Sequence, residues 1–309
     1  MIKSEIKKLS RRTSGVNVWL AYSESQNKRF DNLPKHDYEV LESEETVGKV
    51  MFEELVRYAD EKRGDVVIVL LGGRGAQAMY RLINKLSQTD EIDDLLKRLH
   101  VFTQDALAPM RMNNNLSFVR DFERLLGDAF FQKVKSFTPM QTDTEDLEGE
   151  LVKYLETLER LGGIDLFFLG LGPEAEAASH LAYIKPNSGA TFSDVAGVIP
   201  ISSSILEHHI GKFKSGGSEI SEADEAECRA ATHILTLGPA AILGAKKVVQ
   251  SIVDADTAPA KRASFRRVSE TEISVDSTER ARQMDENPGL WLRLHPNVRT
   301  LVLPNLLEA

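Results

Sequence analysis

Asp65–Leu71 reads DVVIVLL and Ile164–Leu169 reads IDLFFL, each closed by glycine at its far end, Gly72 and Gly170. A strand with one wet face alternates apolar and polar residues; a strand buried on both faces of a parallel sheet has no wet face to serve. These two runs are therefore expected to be central parallel strands. Outward from them, Leu99–Thr103, Val195–Ile201, His233–Leu237, Val248–Val253, Leu290–Leu294 and Arg299–Leu303 also read as strands, with Tyr38–Leu41 as a short opening one. Helical spacing lies between many of them. Ser43 is a plausible N-cap with Glu44 and Glu45 in the first turn, and Val47, Val50, Met51, Leu55 and Tyr58 follow on one face. Gln77–Leu86, Leu116–Phe131, Glu145–Leu161, Glu222–Ala231 and Ala240–Lys246 complete the helices. Alternating strands and helices imply a single-domain α/β three-layer sandwich with a mainly parallel central sheet, Rossmann-like. Lys214–Glu222 and Asp254–Pro259 read as loops within it. Residues 1–37 read as an N-terminal extension with one strand-like stretch, Val16–Tyr22, and residues 38–309 as the domain.

Composition narrows the function. The 309 residues carry 38 Lys+Arg against 47 Asp+Glu, a net charge of -9. Such a chain repels nucleic acid and anionic membrane, so neither is expected as a partner. An anionic ligand would need a local cluster of cations and backbone N–H groups. One cysteine, Cys228, excludes an internal disulfide and a Cys-rich zinc site. No apolar run approaches the ~20 residues of a membrane span, and Met1–Arg12 has no signal-peptide core. A cytoplasmic protein with no cofactor and no metal is the expectation, with homo-oligomerisation left open.

Ligands of open parallel sheets bind beyond the carboxyl ends of the strands. That rule selects Gly72–Ala76, Gln104–Met110 and Gly170–His180. The first, GGRGA, offers backbone amides, a following helix N-terminus and the Arg74 guanidinium: either an oxyanion cradle or a plain tight turn. In the second, Asp105 is either a base facing a pocket or an N-cap, the cap being the commoner case. The third, GLGPEAEAASH, matches a dinucleotide fingerprint only superficially, because Pro173 removes an amide where a pyrophosphate would sit. Locally it reads as a helix opened by Pro173, with Glu174 and Glu176 in its first turn. Lys261-Arg262 and His208-His209 read as surface pairs.

Taken in order, these segments resemble the glucosamine-6-phosphate deaminase/6-phosphogluconolactonase superfamily from about Tyr38 to Ala309. YEVLESEETVGKVMFEEL is similar to the family's opening strand and helix, and VLLGGRGAQAMYRLI to its phosphate loop. HVFTQDALAPMRMNNNLS resembles the strand carrying the family aspartate, here Asp105. IDLFFLGLGPEAEAAS matches the lactonase-type Gly-Met-Gly-Pro-Asp-Gly-His-Thr-Ala-Ser without gaps. HILTLGPAAILGAKKVVQSIV and WLRLHPNV are nearer to the deaminases.

The departures bear on chemistry. The family's Asp-Gly-His falls on Glu174-Ala175-Glu176, so the histidine that serves the lactonases as base, and the deaminases in ring opening, is missing from its ungapped place. Sliding Ser179-His180 into the Gly-His place brings the deaminase glutamate near Lys185. The stretch from Arg266 to Glu286 is also longer than the family's usual form. An unperturbed Glu is a weaker base than His by roughly 2 pKa units, or ~3 kcal/mol, which disfavours lactone hydrolysis. The resemblance therefore implies a sugar-phosphate enzyme of the deaminase/isomerase kind acting on an aldose or amino-sugar phosphate. Asp105 would be its proton-transfer base, with Glu176, Glu174 or His180 at ring opening. Gly72, Gly73, Arg74 and Lys261 would hold phosphate. A lactone hydrolase based on Glu176, and a non-catalytic sugar-phosphate sensor or regulatory protein, are the alternatives.

Overall fold

Burial on both faces governs the centre of the fold. The computed structural model describes residues 7–10 and 36–308. Its strands run in chain order as β1 Lys7–Ser10, β2 Glu39–Val40, β3 Val66–Leu70, β4 Leu99–Thr103, β5 Asp105–Ala108, β6 Ser136–Thr138 and β7 Leu166–Leu169. There follow β8 Gly172–Pro173, β9 Ser179–His180, β10 Asp194–Pro200, β11 His233–Leu237, β12 Lys247–Ile252 and β13 Val298–Val302. Seven of them form one sheet in the order β2-β13-β12-β7-β3-β4-β6, parallel at every pairing. The strands of the two apolar runs, β3 and β7, lie side by side in its middle, buried at every position. Val67, Val69, Phe167 and Leu169 enter one core, and Val66, Ile68, Leu70, Leu166 and Phe168 enter the other. The strand period of two thus feeds two cores, and both need apolar residues. From β3 the chain winds outward through β4 and β6, then returns to lay β7, β12 and β13 on the other side. The order reverses between β3 and β7.

Helices cover both faces, and local chemistry sets several of their ends. The Ser43 side chain accepts from the Thr46 amide at 3.1 Å to begin helix Glu44–Lys62, and Arg63 ends it at φ 51°. The helices Gln77–Ser87, Phe118–Lys133, Leu147–Arg160, Glu222–Ala230 and Pro239–Gly244 lie within a few residues of their expected bounds.

Several expectations are corrected. β10 and β11 do not join the parallel sheet; with β1 and β5 they make a second, antiparallel sheet in the order β1-β10-β11-β5. Apolar patterning marks a strand and leaves its partners open. Leu290–Leu294 is not a strand but part of a 3-10 helix, Pro288–Leu294. Pro288 presets a helical φ there and withholds an amide that a sheet ladder would use. Pro173 starts no helix: β8 pairs antiparallel with β9, and Ala175–Ala177 form a 3-10 turn between them with Glu176 at φ 57°. Among the described residues three helices of ten residues or more went unread, Ser203–Ser215, Ala260–Glu270 and Ser277–Glu286. The first extends into the expected loop at Lys214, and the other two hold most of the long Arg266–Glu286 stretch. Val16–Tyr22 lies outside the described residues.

Phe168 is fully buried between helices and sheet. Its replacement by alanine should cost about 3–5 kcal/mol in urea unfolding; a loss below about 1 kcal/mol would show that β7 is not central.

Candidate active site

Four adjacent strands, β12, β7, β3 and β4, end at one place, the point where the winding order reverses. Residues at and just beyond those ends wall a single cleft: Ser251 and Asp254, Gly170 to Gly172, Leu71, Gly72, Arg74 and Gly75, and Gln104 with Asp105. Its empty space, open solvent at the mouth included, is about 480 Å³. The remaining wall comes from outside the parallel sheet. His180 and Tyr183 come from β9 and the turn after it, His208 and Lys212 from helix Ser203–Ser215, and Lys261 from helix Ala260–Glu270.

Asp105 is held by both sheets. Gln104 alone separates β4 from β5, so the chain leaves the parallel sheet and enters the antiparallel one within a residue. Asp105 therefore opens a strand, opposite Thr236 of β11, and caps no helix. It is 2% exposed, and its Oδ1 has no hydrogen-bond partner. Burial pushes its pKa above the ordinary carboxylate range, opposed by the Lys212 charge and a hydrogen bond with Gln104. A carboxyl poised in this way can exchange a proton near neutral pH.

The glycine loop is tied down on both sides. Tyr80 Oη donates to the Leu71 carbonyl at 2.6 Å, and Ser251 Oγ donates to the Gly75 carbonyl. Gly73 takes φ 84°, a left-handed conformation that turns the chain into the Arg74–Ala76 turn and the helix after it. Arg74 lines the cleft but is already committed, to Glu44 at 2.5 Å and Asp256 at 3.4 Å. Lys261, read as surface charge, is instead 7% exposed, with Nζ 2.6 and 2.8 Å from the two oxygens of Asp254.

His180 stands in the cleft because Gly172 has no side chain. The two residues are paired across β8 and β9, and a Cβ on Gly172 would lie 1.8 Å from the imidazole. Its Nε2 has no partner. Burial holds its pKa well below the usual histidine value, and the neighbouring His208, Lys212 and Lys261 add to this. The imidazole is therefore neutral at pH 7, able to accept through one nitrogen and donate through the other.

His208-His209 is not a surface pair. His208 turns into the cleft, 6.2 Å from His180 between ring centroids, and burial drives its pKa down to about 2. His209 is 1% exposed, with Nε2 at 2.7 Å from the Leu116 carbonyl. Both adjacent residues face inward because helix Ser203–Ser215 is packed on a broad side. Glu174 and Glu176 are not brought to this cleft. They line a separate cavity with Lys185 and Arg267, where Glu174 accepts from Ser204 at 2.5 Å. The hairpin thus presents His180 on one side and the two glutamates on the other.

Sequence reasoning missed Lys212, Tyr183, Gln104 and His208. The i,i+4 spacing of His208 and Lys212, behind Ser202 as N-cap and beside Ile205, Ile210 and Phe213, was the signal that could have found two of them. Among the described residues no three His, Cys, Asp or Glu side chains converge as a metal site would.

Residues 43–206 match the family described as glucosamine-6-phosphate isomerases/6-phosphogluconolactonase. The chain is 24% identical to a glucosamine-6-phosphate deaminase of Bacillus pumilus, over 85% of this chain and 95% of that one. Its fold is similar to that of a monomeric glucosamine-6-phosphate deaminase, with TM-score 0.68 and 20% identity over 88% of this chain and 98% of the other. It is also similar to the 6-phosphogluconolactonase of Trypanosoma cruzi, with TM-score 0.64 and 13% identity over 90% and 97% of the two chains.

Gly172→Ala should expel the His180 ring. Followed by NMR, the unmodified imidazole should titrate well below an ordinary histidine, and in the variant it should titrate nearer the ordinary value of about 6.5. Identical titration in both proteins would show that the ring does not rest on Gly172.

Proposed function

Because the chain belongs to the glucosamine-6-phosphate isomerase/6-phosphogluconolactonase family, we propose that its cleft opens an aldose or amino-sugar phosphate and moves a proton between C1 and C2, as a deaminase or isomerase does. One observation carries this reading. Three buried polar atoms without partners, Asp105 Oδ1, His180 Nε2 and Gln104 Oε1, lie on residues that wall one cleft at the sheet's switch point. An unmet buried polar group costs about 1–3 kcal/mol, so three in one place indicate a polar ligand that completes them.

In this reading Asp105 takes the proton from C2 of the opened sugar and returns it at C1. His180, in the place reached by sliding Ser179-His180 onto the family's Gly-His, moves the hydroxyl proton that opens the ring. Glu174 and Glu176 face another cavity, so ring opening is assigned to His180 and lactone hydrolysis through Glu176 is set aside. The amides of Gly72 and Gly73, with Arg74 and Lys261, surround the phosphate. Where C2 carries an amino group, the product of proton transfer is an imine, and water releases it as ammonia. The net charge of -9 supports a small-molecule partner over nucleic acid. No helix among the described residues is long and apolar enough to cross a membrane, and a cytoplasmic setting belongs to the same proposal. So does the division into an extension, 1–37, and a catalytic domain, 38–309.

Ammonia from glucosamine 6-phosphate, ketose from aldose phosphates and acid from a phosphogluconolactone should be measured side by side. Asp105→Asn should lower turnover in the first or second assay by roughly 10²–10⁴ while ligand affinity stays within a few-fold. A raised Asp105 pKa means that the base is lost as pH falls through that value. The acidic limb of kcat/KM should therefore lie above the ordinary carboxylate range of about 4. Background rates in all three assays, with hexose phosphates still bound, would make the chain a sensor instead.

A further inference from the structure

Among the described residues three side chains with full cationic groups line the cleft, and two are already neutralised. Arg74 meets Glu44 and Asp256, and Lys261 is clasped by both oxygens of Asp254. Lys212 differs. Its Nζ donates to the neutral Tyr183 hydroxyl at 2.6 Å and lies 4.7 and 4.9 Å from the centroids of the Phe118 and Tyr183 rings. No carboxylate stands within ion-pair distance of it among the described residues. Aromatic faces and a phenol hold an ammonium in place without cancelling its charge.

The position of Lys212 is as telling as its partners. Its side chain crosses the glycine loop: a Cβ on Gly73 would lie 3.0 Å from Lys212 Cδ and 3.5 Å from Nζ. Among the described residues, the cation of the cleft that no carboxylate contacts therefore sits over the glycine turn. We propose that Lys212, and not Arg74 or Lys261, supplies the net positive charge that fixes the ligand's phosphate against Gly72 and Gly73. This rests on the sugar-phosphate reading above. A dianion approaching Lys261 meets Asp254 in direct contact, and the repulsion offsets much of the attraction; at Lys212 the carboxylates of Asp105, Asp254 and Asp121 act only from beyond ion-pair distance and offset less of it. Burial and the Lys261 charge already strain the Lys212 ammonium, against the pull of Asp105. A bound phosphate relieves that strain. Lys212 is then a specificity residue that separates phosphorylated from free sugars.

The test is calorimetry on the full chain with glucosamine 6-phosphate, inorganic phosphate and glucosamine. Lys212→Met should weaken the two phosphate-bearing ligands by ~10–100-fold, as expected for one charge-assisted contact, and leave glucosamine nearly unchanged. Removing the neutral pair whole, Asp254→Asn with Lys261→Met, should weaken them less than Lys212→Met does. Lys212→Arg should restore most of the loss, and if Lys212→Met fails to fold, comparing Lys212→Arg with Lys212→Gln reads the same charge. Equal weakening of glucosamine and its phosphate would overturn the proposal and leave Lys212 as a counter-charge to Asp105 alone. Unchanged phosphate binding in Lys212→Met, or a larger loss in the double variant, would overturn it too while the sugar-phosphate reading stands. If the unmodified chain binds none of the three, both fall.

Discussion

A carboxyl group kept dry, with one oxygen unpartnered, is the constraint around which the cleft is organised. Asp105 cannot swing out to water, because β4 and β5 fix the backbone on either side of it with only Gln104 between. Moving a carboxylate from water into an apolar surrounding is expensive unless it is paired or holds its proton. The structure gives it no cation in direct contact, only a hydrogen bond with Gln104. It places Lys212 near enough to be felt and leaves Oδ1 without a hydrogen-bond partner. A protein whose whole stability is about 5–15 kcal/mol does not hold several such groups in one spot for the sake of packing.

The surrounding chemistry follows from that position. Two neutral histidines wall the same cleft, because burial strips His180 and His208 of their protons. The pocket's fixed charges are mostly cancelled in pairs, Lys261 with Asp254 and Arg74 with Glu44. A cleft built this way is weakly charged when empty and asymmetric, with an acid-base group at one wall and amides under a cation at another. That geometry suits a ligand with a carbonyl at one end and an anion at the other.

Much of the scaffold was legible because burial on two faces leaves an unmistakable pattern. DVVIVLL and IDLFFL could be placed centrally without knowing any contact, and the strand-end rule then pointed to Gly72, Arg74, Asp105 and His180. Those four line one cleft. What resisted reading depended on long-range partners. β10 and β11 have ordinary strand patterns, and only their register with β5 and β1 puts them in a second sheet. The GPEAEAASH stretch carries good helix-start chemistry, yet pairing of Gly172 with His180 and a hydrogen bond from the Glu174 amide to Ala178 at 2.8 Å close it as a hairpin. That closure moves the glutamates out of the cleft and the histidine in. Lys212 and His208 were missed because an amphipathic helix with a polar side facing a cleft looks, in sequence, like one facing solvent.

Solvent-deuterium incorporation reports most directly on proton transfer by a fixed carboxyl. Fructose 6-phosphate, the ketose expected from both the amino sugar and the aldose, would be held with the chain in deuterated water and its C1 hydrogens followed by NMR. One of the two C1 hydrogens should exchange and the other should persist, because Asp105, locked between two sheets, can reach a single face of the opened sugar. Exchange of neither hydrogen while the sugar phosphate is demonstrably bound, or equal exchange of both, would contradict a proton-transfer base at Asp105.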